Sequence, residues 1–145
     1  MRKIVAVLGV AVMVASASFA LAASDLGKQR EADMKAIGGA VKLSSGFASG
    51  KVPFDAAAAK AAMETIAAKA TDFPSLFPVG SETADKSASP KIWENKADFE
   101  AHAAKLAADA TAAAAASGSL DTFKVAFAAV AGNCKSCHQT YRLAD

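Results

Sequence analysis

Residues 56–70 read AAAAKAAMETIAAKA, and alanine-rich stretches of this kind fill most of the chain beyond residue 22. Alanine has the best intrinsic helix propensity, and the β-branched and aromatic residues that favour strands are scarce. No long stretch alternates apolar and polar residues with the period of two that a half-buried strand needs. The chain is therefore confined to the all-α class, and its 145 residues suit one domain.

Capping and periodicity predict four helices. The first runs from about Asp25 to Ser45, with Met34, Ile37, Ala40 and Val41 at helical spacing and Ser44-Ser45-Gly46 as its end. Gly38-Gly39 weakens it and is expected to admit a close neighbour. The second starts at Asp55, a capping residue after Pro53, and carries Met63, Ile66 and Ala67 on one face. The third runs from about Asn95 to Ala116 and is stopped by SGS; the fourth starts near Leu120 and continues into GNCKSCHQTYR. Between the second and third lies TDFPSLFPVGSETADKSASPKIWEN, with three prolines and a glycine. Phe73, Leu76, Phe77, Ile92 and Trp93 make that segment too apolar to be solvated, so it is expected to fold back over the core. The expected architecture is an antiparallel four-helix bundle with one long crossover loop. Alanine side chains fill little volume, so such a bundle has a thin core unless a large apolar group sits inside it.

The first 22 residues, MRKIVAVLGVAVMVASASFALA, are set apart from that domain. Arg2 and Lys3 precede an apolar run, and Ala20-Leu21-Ala22 fits an A-x-A cleavage signal, the pattern of a secretory leader. Ser16 and Ser18 interrupt the run short of the roughly 20 residues a membrane span needs. Residues 23–145 then form the mature domain, with no span of their own. Removing the leader takes Arg2 and Lys3 from the 16 Lys+Arg, leaving 14 against 14 Asp+Glu. A neutral chain gives no reason to expect nucleic acid or an anionic membrane surface as partner.

Both cysteines, Cys134 and Cys137, stand three residues apart, with His138 directly after. Export allows disulfides, but a bond closing so short a loop would constrain the unfolded chain little. C-x-x-C-H is the attachment signature of c-type haem. Each thiol adds to a vinyl group of the porphyrin, and the adjacent imidazole reaches the iron. Positions i, i+3 and i+4 share one helix face, which continues backwards through Phe123, Phe127, Val130 and Ala131 and forwards to Tyr141. A thioredoxin-like C-x-x-C normally follows a strand, and here a helix precedes it. A zinc site would need a fourth ligand, and His102, the only other histidine, lies on an ordinary amphipathic helix.

With CKSCHQTYR at one end, READMKAIGGAVK in the first helix, and LFPVGS, KIWEN and DFEAHAAKL between, the mature chain resembles the class II c-type cytochromes, the cytochrome c′ family. The resemblance implies a four-helix bundle holding one covalent haem c, with Cys134 and Cys137 as thioether anchors and His138 as the proximal iron ligand. It also implies that Arg30 meets a haem propionate. In the five-coordinate branch, the position four residues after this arginine is usually bulky and apolar. Here it is Met34, as in the low-spin branch of cytochrome c-556 type, where a methionine sulfur is the distal ligand. Met63 fits core packing. Trp93 and Phe77 fit pocket walls or core, and Arg142 either a haem neighbour or a structural ion pair.

The expected function is periplasmic electron transfer through a His/Met-ligated haem, with periplasmic redox proteins as partners. The alternative is a five-coordinate protein that binds nitric oxide or carbon monoxide. A haem enzyme ranks last, because no distal His–Arg acid/base pair is apparent near Met34. Members of the family can dimerise through the first two helices, so a homodimer is one state the resemblance implies.

Overall fold

Asp55 acts as a cap: its carboxylate accepts from Ala58 N at 2.9 Å and starts helix α2, Ala56–Asp72. In this computed structural model the backbone is described for residues 8–143 and side chains for residues 25–143. The cleaved leader expected over residues 1–22 falls on residues 1–7, outside the described residues, and on a stretch of helix without described side chains. The elements run in the order α1 (Leu8–Ala48), α2, a 3-10 turn (Phe73–Leu76), the single-turn α3 (Lys91–Glu94), α4 (Lys96–Ala115) and α5 (Leu120–Tyr141). Ser119 caps α5 through a bond from Thr122 N. Among the described residues, no helix is long and apolar enough to cross a membrane.

The four long helices are the expected bundle. Packing joins α1 to α2, α2 to α4 and α4 to α5, and it is thinnest where α5 returns to α1. Side-chain density is concentrated at one end. There Phe47 near the end of α1, Phe54 before α2, and Phe123 and Phe127 early in α5 meet ring to ring, with centroids 5.6–6.5 Å apart. Met63 and Ile66 fill the space between, fully buried. A second apolar cluster lies towards the other end, where the crossover segment folds back as expected. Phe77 and Ile92 are buried against Phe99 and Tyr141, with Phe73, Leu76 and Trp93 packed around them.

Three local expectations are corrected. Helix α1 runs through Ser44-Ser45-Gly46 to Ala48, because Ser44 and Phe47 are buried and their packing outweighs weak propensity. The chain turns at Gly50 instead, where φ is +73°. Gly38 and Gly39 admit no close neighbour in this chain, since a Cβ at either would meet nothing within 4 Å. The close approach is at Gly27, where a Cβ would stand 2.2 Å from the Ala84 carbonyl oxygen. On α5 the buried stripe is Phe123, Phe127, Val130, Asn133 and Tyr141, while Ala131 is exposed. One residue beyond Val130 is a rotation of about 100°, which carries Ala131 off the face.

Candidate functional site

At the end of the bundle away from the phenylalanine cluster, a cavity of about 920 Å³ opens between α1 and α5. It is near the top of the range for cofactor and ligand sites, about 300–1,000 Å³. The chain's periodicity places its walls. Helix α1 contributes Met34, Ile37 and Val41, one to two turns apart. Helix α5 contributes Cys134, Cys137 and His138 from a single face, and the crossover segment adds Phe73, Phe77 and Ile92.

Cys134 and Cys137 are both free thiols, half-buried. Burial raises both thiol pKa values; that of Cys137 is pushed up to about 11, with the neighbouring Cys134 and Asp98 adding to it. Redox thiols and zinc ligands work as thiolates, and this environment opposes the thiolate. The His138 ring is accessible from the cavity, yet enough protein surrounds it to lower its pKa, with the Arg142 charge reinforcing the effect. The imidazole is thus held neutral, the form that ligates a metal. Met34 is half-buried and lines the same cavity from a different helix, α1.

The sequence named Tyr141 and His102 but not the partners that hold them at this end. Tyr141 is buried, and its hydroxyl donates to Asp98; burial and then that carboxylate push its pKa up to about 12, so it stays a donor. His102 lines the same cavity, edge-on to the Tyr141 ring at 5.8 Å and 3.6 Å from Asp98. Asn133, the residue before Cys134, donates to Asp109 at 2.7 Å, and Asp109 also holds Lys105 at 2.7 Å. That bond fixes the cysteine turn of α5 to α4. A polar residue on the apolar stripe of α5 was the available signal for Asn133. For Asp98 and His102, four residues apart on α4, nothing in the sequence pointed to Tyr141.

Arg30 is 4% exposed, and the crossover segment surrounds it. Its Nε donates to Leu76 O (3.0 Å) and its Nη1 to Asp85 (2.7 Å). Its Nη2 donates to Leu76 O (2.9 Å), Ser81 O (3.1 Å) and Ser81 Oγ (2.7 Å). The guanidinium lies 4.0 Å over the Phe77 ring and 5.6 Å from Trp93. Of its five N–H groups, one on Nη1 is uncommitted. Trp93 is a support rather than a cavity wall, its indole N–H donating to Pro78 O at 3.0 Å.

The Cytochrome C′ family profile matches residues 25–142. The chain belongs to the cytochrome c′ family. Cytochrome c-556 of Agrobacterium fabrum is 48% identical over 120 residues, 80% of either chain. Cytochrome c′ of Rhodopseudomonas palustris is 40% identical over 131 residues, 90% of either chain. A solved structure of cytochrome c′ from Rhodopseudomonas palustris superposes with a TM-score of 0.79, covering 83% of this chain and 98% of the other at 40% identity. This cytochrome is a haem protein whose cofactor is covalently attached haem c, and nothing in its relatives' names points to an enzyme. The chain's own residues fit that group: an apolar cavity of sufficient size, with two protonated thiols and a neutral imidazole on one helix face. Both branches, c-556 and c′, are represented among these relatives.

Proposed function

We propose that this cytochrome is a periplasmic electron carrier of the low-spin branch. Cys134 and Cys137 would hold the haem as thioethers, and His138 and Met34 would be its axial ligands. The observation that carries the reading is that Met34 and His138 face one cavity from two different helices. When bound, the haem supplies a one-electron centre, and a thioether–imidazole pair raises its reduction potential. The chain's part is to present both ligands without rearrangement. Met34 projects from the middle of α1, and His138 is held on α5 by the Asn133–Asp109 bond and the buried Tyr141. The propionate contact implied for Arg30 has one N–H left to make it. Residues 1–22 are assigned as the leader, so mass spectrometry of the native protein should find an N-terminus at Ala23.

The absorption spectrum of the purified holoprotein in both oxidation states tests the ligand set. Low-spin bands in each, with slow or absent carbon monoxide binding, are expected. A high-spin ferrous spectrum would hand the lead to the gas-binding reading, which the likeness to cytochrome c′ of Rhodopseudomonas palustris keeps in view.

A further inference from the structure

Helices α1 and α5 flank the cavity but touch each other little. What joins them on this side is the crossover segment. On the α1 side, two points one turn apart dock the same stretch of loop: Gly27 against the Ala84 carbonyl and Arg30 against Asp85. On the α5 side, Ala88 bridges to Arg142, Ser89 N donates to Tyr141 O (3.0 Å) and Leu143 N donates to Ser87 O (2.8 Å). Asp85 connects the two sides. One carboxylate oxygen takes Arg30, and the other accepts from Ser87 N (3.0 Å) and Ala88 N (2.9 Å). Arg30, Asp85, Ser87 and Ala88 all line the cavity.

We propose that Arg30 and Asp85 form the clasp of a strap that spans the α1–α5 seam and controls entry of small ligands to the cavity. Arg30 is then a positioning residue. Four of its five N–H groups go to Leu76, Ser81 and Asp85 of the loop, and they tie that loop to the turn of α1 that precedes Met34. A lysine cannot replace it, because one ammonium with three N–H groups cannot meet the four acceptor atoms of Leu76, Ser81 and Asp85 and also lie flat over Phe77. The inference rests on the reading of this cavity as a haem site, and it holds whichever axial ligand set is correct.

The test uses holoprotein carrying Arg30→Lys or Asp85→Asn, each (like the Lys69→Met control) in a Met34→Ala background that leaves the iron open to carbon monoxide under either ligand set, with two readouts. One is amide hydrogen exchange at Ser87, Ala88 and Leu143; the other is the rate of carbon monoxide association with the ferrous protein. Both variants should speed exchange at those amides about tenfold or more, and carbon monoxide entry by a similar factor. Lys69→Met, which breaks the 2.7 Å ion pair between α1 and α2 away from the strap, should change neither. Faster exchange with an unchanged carbon monoxide rate would reduce the clasp to a loop anchor and overturn the proposal, as would no change in exchange. So would an equal acceleration of carbon monoxide binding by Lys69→Met, since general destabilisation would then account for the effect. The wild-type spectrum judges Met34 ligation separately, and the exchange readout does not depend on it.

Discussion

Met34 is the residue on which the chemistry turns. Met34→Ala is expected to leave the ferrous haem high-spin, lower the reduction potential and admit carbon monoxide, while helical content persists. Absorption spectroscopy and redox titration check this, and a variant that stays low-spin would return Met34 to the core. Ser44 offers a contrast. Its hydroxyl is completely buried and has no hydrogen-bond partner among the described residues. Ser44→Ala should raise unfolding stability by about 1 kcal/mol, the lower end of the cost of an unpaired buried polar group. A lower denaturant midpoint in this variant would show that the hydroxyl has a partner after all. At this scale the sequence was informative where spacing carries geometry. Cys134, Cys137 and His138 had to share a face, and they do. Arg30 was visible as a residue but not as a contact, because its partners lie 46 to 55 positions away in irregular chain. No periodicity encodes such a meeting.

Among the elements, the crossover segment is the most tightly specified. Gly27→Ala would force a methyl into the Ala84 carbonyl, and backbone cannot swing aside as a flexible side chain can. A loss of about 1–3 kcal/mol is expected, the usual cost of overpacking, measurable as a lower thermal midpoint. The same substitution at Gly39 should be neutral or slightly stabilising, since nothing stands near it and alanine is the better helix former. The strap also has a pH signature. Burial raises the Asp85 pKa, but the bonds from Arg30, Ser87 and Ala88 outweigh it, and the net shift is downward. A depressed carboxylate stabilises the fold fully above its unfolded value of about 3.9, and that contribution drains as the pH falls through the folded value. Protection of the Ser87 and Ala88 amides, taken relative to the intrinsic exchange rate at each pH, should therefore be flat from neutrality down to about pH 4 and fall below it. Loss of protection already at pH 6 would point to another group. Element boundaries were readable where a side chain caps, as Asp55 does, and misread at the end of α1, where burial of Phe47 overrode the local signal.

The whole molecule is a ring of helices with one weak seam, dense at one end and hollow at the other. Alanine made the helices legible because it propagates helix, but it does not locate the hollow: the buried Ala59, Ala62, Ala110, Ala113 and Ala114 pack in the dense end, and the cavity is walled by Phe73, Phe77, Phe99 and Tyr141. The weak seam between α1 and α5 has a consequence for topology. Under the ligation proposed here, a side chain at position 34 becomes tethered to a group anchored at positions 134–138, closing a loop of roughly 100 residues. In the chain-entropy account a permanent tether of that span removes about 4.7 kcal/mol of freedom from the unfolded ensemble. A coordinate bond is reversible, so this is a cross-link that ligand exchange can open and close. Met34→Ala, or displacement of the sulfur by an added ligand, should thus lower the denaturation midpoint by more than lost packing explains. A Met34→Leu variant, which keeps the bulk without the sulfur, isolates the tether. If it unfolds at the wild-type midpoint, the sulfur ties nothing together, and the two flanks of the haem are independent walls.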